Sequence, residues 1–344
     1  MINNAIFAIL NIVLFIAPVH VQAQQSSKSY HIVDSLVLGG EGGWDYCTID
    51  TAAERLYTSR GTRVQVIDLV KKIIIGEIPH TPGVHGIALA SIARKGYISN
   101  GRDSSVTVFD ITSLDSLKVI KIGARNPDAI LYEPITNRVF TFNGGSGSAT
   151  AIDVATDSVV GTIALGGKPE FAVTDNGRVY VNIEDKSTLV EFDAQNLQIL
   201  RSWSIAPGEE PSGLAIDKQH QRLFSVCSNK LMVISDIEKG IVNASVPIGK
   251  GTDGAAFDEE QQLVFSSNGE GTLTVVQEKV PSEFSVLNNS ITRPGARTLA
   301  LDSKTHRIYT VTGKFGPLPA PSTEHPHPRS TIEPGSVTLY ILEK

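Results

Sequence analysis

Seven residues able to carry charge or make a hydrogen bond recur along this chain at a nearly fixed interval. Asp45, His85, Asp128, Glu170, Ser212, Asp253 and Arg297 are separated by 40, 43, 42, 42, 41 and 44 residues. Four carboxylates with one imidazole, one hydroxyl and one guanidinium would form an acidic cluster wherever a fold brought them together. Like charges a few ångströms apart either raise a carboxyl pKa or recruit a cation. The expected chemistry is therefore capture of a cation, or of a cationic or polyol ligand, with His85 as ligand or proton acceptor. A divalent cation is the cofactor such a set would hold, on His85, Asp128 and Glu170. Against this stands a plainer reading, in which the side chains plug a channel with water and mutual hydrogen bonds. Both readings stay open at this point.

Each of the seven heads a repeated segment. Pro211-Ser212-Gly213-Leu214-Ala215-Ile216-Asp217 followed by Arg222-Leu223-Phe224 shows the pattern. A loop residue leads into an alternating apolar strand; a polar turn follows, then a second strand opening Arg-apolar-aromatic. A period in the forties with several short strands per unit is the signature of a propeller blade. Seven copies predict an all-β, seven-bladed β-propeller of four-stranded blades over residues 30–344. Thirty glycines and 17 prolines suit many tight turns and few helices.

In blade 1 the four strands, A to D, are predicted at 46–49, 55–59, 64–67 and 73–78. Strand C ends in Asp68, Asp110, Asp153 and Asp193 in successive blades, and these carboxylates are read as acceptors for turn N–H groups. Blade 7 has strands at 298–301, 307–311 and 337–342 but no fourth. Residues 30–40 resemble an outer strand and its exit loop, so the N-terminal strand is expected to complete the last blade and close the ring. Between strands B and C of blade 7 lies an insertion, 313–336, with six prolines. Prolines exclude helix and ladder pairing and favour extended chain, and loops this long are usually functional or disordered.

Loops joining D to the next A, and B to C, leave a propeller on one face, here called the top. The seven residues should therefore ring the top mouth of the central channel, with the insertion above them as a lid. Arg297 should fall between Asp253 and Asp45, and His85 between Asp45 and Asp128. Asp128 and Glu170 should be neighbours with no cation between them. His325 and His327 in the insertion would be further metal ligands only if three or four groups converged. A small-molecule or protein partner is expected on this face.

The first 23 residues carry an apolar run followed by Val21-Gln22-Ala23, which reads as a secretory signal peptide; residues 24–29 read as a disordered leader. An exported protein, periplasmic or extracellular, is expected, and no later apolar run is long enough to span a bilayer. The formal charge of −6 gives no pull toward nucleic acid or anionic membrane. Acidic and basic residues balance on the loops assigned to the top face, where Trp44 and Phe315 are the aromatics able to stack. Cys47 and Cys227 fall in blades 1 and 5, which are not neighbours, so no disulfide is expected. A monomer is expected. No nucleophile elbow, P-loop, dinucleotide fingerprint or zinc-protease motif is present, which favours a binding role over catalysis.

Strand B ends as Tyr57-Thr58-Ser59-Arg60, Tyr97-Ile98-Ser99-Asn100, Phe140-Thr141-Phe142-Asn143 and Tyr309-Thr310-Val311-Thr312. With Val66-Ile67-Asp68, these segments resemble the YVTN-repeat β-propellers, the YncE-like proteins, over essentially all of residues 30–344. The resemblance implies an exported seven-bladed propeller of the bacterial periplasm or cell surface. It also implies single-stranded DNA as a partner, since that binding is attributed to YncE-like members. The alternative reading is a metal-dependent hydrolase of the lactonase type, since propeller lactonases hold a divalent cation among carboxylates at the channel mouth.

Overall fold

A computed structural model of the chain describes residues 29–279, 283–320 and 330–344. The segments read as signal peptide and leader, up to residue 28, lie outside the described residues, as do His325 and His327. The described residues form seven antiparallel four-stranded sheets, and the chain is an all-β seven-bladed propeller. Blade 1 is built from Cys47–Asp50, Arg55–Arg60, Arg63–Asp68 and Ile73–Ile78, within one residue of the predicted bounds.

The seventh sheet is composite. His31–Val37 pairs antiparallel with Thr338–Glu343, joining His31 to Glu343 at one end and Val37 to Thr338 at the other. Leu299–Asp302 and Arg307–Thr312 complete that sheet. The N-terminal strand thus closes the ring as expected.

Strands B and C are buried on both faces because each blade packs on its two neighbours. Tyr57, Val64 and Val66 of blade 1 share one cluster with Ile87, Ile98 and Phe109 of blade 2. Burying each such side chain contributes roughly 1.5–3 kcal/mol. Outer strands instead point apolar residues outward, with Ile73, Val119 and Val160 exposed. The strand-C aspartates do what their position implies. Asp68 accepts from the N–H groups of Val70 and Lys71 at 3.0 and 2.7 Å, and Asp193 from those of Gln195 and Asn196. Cys47 and Cys227 are both free.

One buried charge belongs to the closure. Arg60 is fully buried and donates to the carbonyls of Gly39, Gly42 and Glu41 at 2.9, 3.2 and 3.4 Å, and to Gln65 Oε1 at 3.1 Å. Burial, with the nearby Arg63 charge, brings its pKa down to about 10. The guanidinium fastens the loop that carries the chain from the closing strand into blade 1.

Candidate functional site

Two local devices aim the rim residues. In blades 2 to 6 each is the second residue of strand A, within Val84–Ala90, Pro127–Glu133, Pro169–Asp175, Pro211–Asp217 and Thr252–Asp258. There the ladder slips: Pro127 pairs with Asn143, but Ile130 pairs with Thr141. Similar shifts occur in the other four. Such a β-bulge bends the strand and re-aims a side chain. Asp45 and Arg297 stand in the loop as expected, two residues ahead of strands Cys47–Asp50 and Leu299–Asp302, whereas the other five fall inside the strand.

The second device is a set of polar side chains that hold rim carbonyls from the preceding blade. Ser99 Oγ donates to the Asp128 carbonyl at 2.5 Å, Asn182 Nδ2 to that of Ser212 at 2.9 Å, and Ser267 Oγ to that of Arg297. Thr298 Oγ1 donates to the Asp45 carbonyl at 2.6 Å. Sequence reasoning passed over these residues, because a small polar residue within a strand carries no sign of what it will reach.

The expected order around the mouth is observed. Arg297 Nε lies 2.7 Å from Asp253 Oδ2, and its Nη2 lies 3.4 Å from Asp45 Oδ1. His85 Nδ1 lies 2.6 Å from Asp45 Oδ2 and 3.4 Å from Asp128 Oδ1. Two expectations need correction. Glu170 does have a cation beside it, since Lys168 Nζ stands 2.7 Å from Glu170 Oε1 and also contacts Glu184. Lys168 stands just ahead of strand Pro169–Asp175, two residues from Glu170, a spacing visible in the sequence. The cation-sized group is also different: Asp45, His85 and Asp128 place donor atoms within 4.8 Å of one another, with Asp45 in the place expected of Glu170. Ser212 sits at the rim, but its hydroxyl is turned to the Thr252 carbonyl at 3.2 Å.

The electrostatics follow from crowding. Burial, chiefly, and the Asp45 and Asp253 charges hold the Asp128 pKa up to about 6 against the pull of His85 and Lys168. Burial and the Asp128 charge likewise push Glu170 upward despite Lys168. The Lys168 pKa is also raised: burial opposes its charge, but Glu170 and Glu184 outweigh burial. The 2.7 Å approach to Glu170 and the contact with Glu184 keep the ammonium charged and shared between two carboxyls. Burial opposes the His85 imidazolium, yet the Asp45 hydrogen bond and the Asp128 and Asp45 charges prevail, and its pKa is raised.

One residue deeper, Tyr46 and Phe171 stack across the channel with centroids 5.6 Å apart. They line a cavity of about 120 Å³ together with Ile130 and Thr298. Burial first, and then the carboxylates above, hold the Tyr46 phenol well above its ordinary pKa. The mouth is therefore an acidic dish with an aromatic floor.

Beside it lies a second concavity. Trp44 and Phe315 meet edge to face at 6.0 Å, and with Leu318, Ser330, Ile332 and Arg297 they line a groove of about 500 Å³. The insertion contributes both of its ends. Contrary to expectation they do pair: Phe315 and Ile332 form an antiparallel bridge, flanked by Gly316 N–H to Thr331 at 2.8 Å and Glu333 N–H to Lys314 at 2.9 Å. Residues 314–316 and 331–333 contain no proline, which is why the ladder survives there. Arg297 belongs to both concavities.

No family model matches this chain. Over 161 residues it is 26% identical to an uncharacterized YncE protein of Salmonella typhi, covering 44% of this chain and 45% of that protein. The chain thus spans less than half the length of the curated relative it matches. Among solved structures, the RRP9 WD40 repeats align with a TM-score of 0.75 at 12% identity, covering 92% of this chain and 99% of theirs. U3-55K aligns at 0.74 and 12%, covering 91% and 99%. Hydrazine synthase of Kuenenia stuttgartiensis aligns at 0.69 and 17%, covering 78% and 92%. The chain is a seven-bladed propeller of WD40-like architecture, similar over part of its length to a YncE protein.

Proposed function

We propose that this is an exported binding propeller whose ligand is a small cation with an apolar portion, taken at the top mouth and the adjoining groove. The observation that carries the reading is the state of Asp128. It is mostly buried among carboxylates, and its cationic contact is the longer one to His85, at 3.4 Å. A ligand ammonium or guanidinium there would offset both the burial and the carboxylate repulsion that raise its pKa. Trp44 and Phe315, reached across Arg297, offer aromatic faces to the same ligand.

The test is calorimetric titration of the full chain with a series of alkyl- and aryl-ammonium ions. Binding that weakens in both Asp128→Asn and Trp44→Ala supports the reading, and binding indifferent to both removes it. Single-stranded DNA, implied by the family resemblance, finds an acidic mouth, whereas polyanion binding needs a basic track with stacking aromatics. A salt-dependent mobility shift would restore that partner; none at low salt would exclude it.

A second reading rests on the 4.8 Å grouping of Asp45, His85 and Asp128. Two carboxylates and an imidazole suit a divalent cation, which when bound would activate a water for hydrolysis of the lactone type. These residues would hold and orient the ion, and the Tyr46–Phe171 floor would limit water from below. Lactone turnover that depends on added metal and is lost in His85→Ala is required of this reading.

A further inference from the structure

The repeat itself exposes an anomaly on the opposite face, at the junction of blades 5 and 6. At the end of strand C in blades 1 to 6, either just past the strand or, in blade 6, within its last two residues (Thr272–Lys279), one residue donates its N–H to the carbonyl of the residue before strand B. Leu69, Ile111, Val154, Ala194 and Ile237 fill that position in blades 1 to 5, and Glu278 fills it in blade 6. Five apolar residues and one carboxylate thus occupy one repeated slot. Glu278 is only 4% exposed, as deeply placed as Ile237 at 3%, and its Oε2 is buried without a hydrogen-bond partner. An unmatched buried carboxylate oxygen is costly.

What Glu278 faces makes the slot a site. Asp217, at the end of strand A of blade 5, is fully buried. His220, in the turn that follows, brings Nδ1 to 2.5 Å from Asp217 Oδ2 and keeps a fifth of its side chain exposed. The donor atoms of Asp217, His220 and Glu278 all lie within 4.8 Å of one another. The nearby Arg222 guanidinium donates to Asp236 at 3.3 Å. Two buried carboxyl groups and an imidazole from adjacent blades therefore converge around an unmet acceptor.

We propose that Asp217, His220 and Glu278 bind a divalent transition-metal ion that staples blade 5 to blade 6. Imidazole with two carboxylates favours zinc or manganese over magnesium or calcium. Metal–ligand bonds of about 2.0–2.2 Å place tetrahedral donors about 3.3–3.6 Å apart. The 2.5 Å contact between His220 and Asp217 opens by about 1 Å to meet this geometry, and His220 sits on a turn that can supply the movement. Three protein ligands leave a fourth position for water.

The experiment is titration of chelator-treated full-length protein with Zn²⁺ and with Mn²⁺ alone, read by calorimetry and by thermal unfolding. Wild type should bind one equivalent that Glu278→Gln and His220→Ala each lose, together with the metal-induced rise in unfolding temperature. Asp128→Asn, which alters only the mouth, should keep both, so a failure of the mouth reading leaves this result untouched. Glu278→Leu, which restores the residue type of the repeat, should unfold higher than metal-free wild type and show no metal response at this site. Absence of metal binding by wild type, or an equivalent retained in both Glu278→Gln and His220→Ala, overturns the proposal.

Discussion

His85 Nδ1 stands 2.6 Å from Asp45 Oδ2, close enough for one proton to be held between blades 1 and 2. The contact joins residues 40 positions apart and makes the mouth sensitive to protonation. Its neighbour Asp128, with a pKa of about 6, binds its proton more tightly folded than unfolded.

The first prediction follows from the sign of that linkage. Between pH 4 and 6 the folded state holds more protons at Asp128 than the unfolded state, so stability falls as pH rises through that window. His85, also raised, adds a loss as pH climbs through its folded pKa. The Asp128 share should amount to about 1–3 kcal/mol. Urea unfolding from pH 4 to 8 should show this decline in wild type and a shallower one in Asp128→Asn. Equal slopes in the two proteins would count against the crowded mouth.

Lys168 is the internal competitor for any external cation. Lys168→Met removes the ammonium between Glu170 and Glu184, and should cost about 1 kcal/mol because the lysine is partly exposed. The same change should strengthen ligand-cation binding at the mouth severalfold. An unchanged affinity in calorimetry would mean that the lysine does not guard the site.

Arg60 should tolerate little. Arg60→Met strips the donors from the Gly39 and Gly42 carbonyls inside the closure and should cost about 2–4 kcal/mol in urea unfolding. Arg60→Lys should recover only part of this, since one ammonium does not reproduce the planar fork. Full stability of Arg60→Lys would show that charge alone suffices there.

The aromatic floor carries a fourth prediction. Phe171→Ala leaves Tyr46 without its stacking partner and opens space beneath the carboxylates, at a cost of about 2–4 kcal/mol. Water entering that space would solvate Asp128 and lower its pKa, which a carboxyl-resolved NMR titration would read. No change in that titration would mean the ring does not shield the mouth.

The ring was legible in the sequence because its signals repeat. One rim residue and one Arg-apolar-aromatic strand per forty-odd residues survive loss of any single copy. Contacts made once were not. Trp44 and Phe315 are far apart in the chain, and only the stem around Phe315 and Ile332 reveals that they share a groove. The prolines of the insertion surround that stem but none falls within 314–316 or 331–333. Lys168 was visible two positions before Glu170, yet its reach toward Glu184 depends on a loop from the next turn. Glu278 was visible too, once its slot is set beside Val154, Ala194 and Ile237.

The composite seventh sheet gives the molecule a preferred direction of mechanical failure. His31 and Glu343 are partners at the same end of one antiparallel pair, so tension between the chain ends falls across that pair, not along it. Force would unzip the seam rung by rung from His31–Glu343 toward Val37–Thr338, at lower load than simultaneous shear of all its bonds. Pulling on the ends should therefore open the circle as a first, separate step, before any of the six continuous blades gives way.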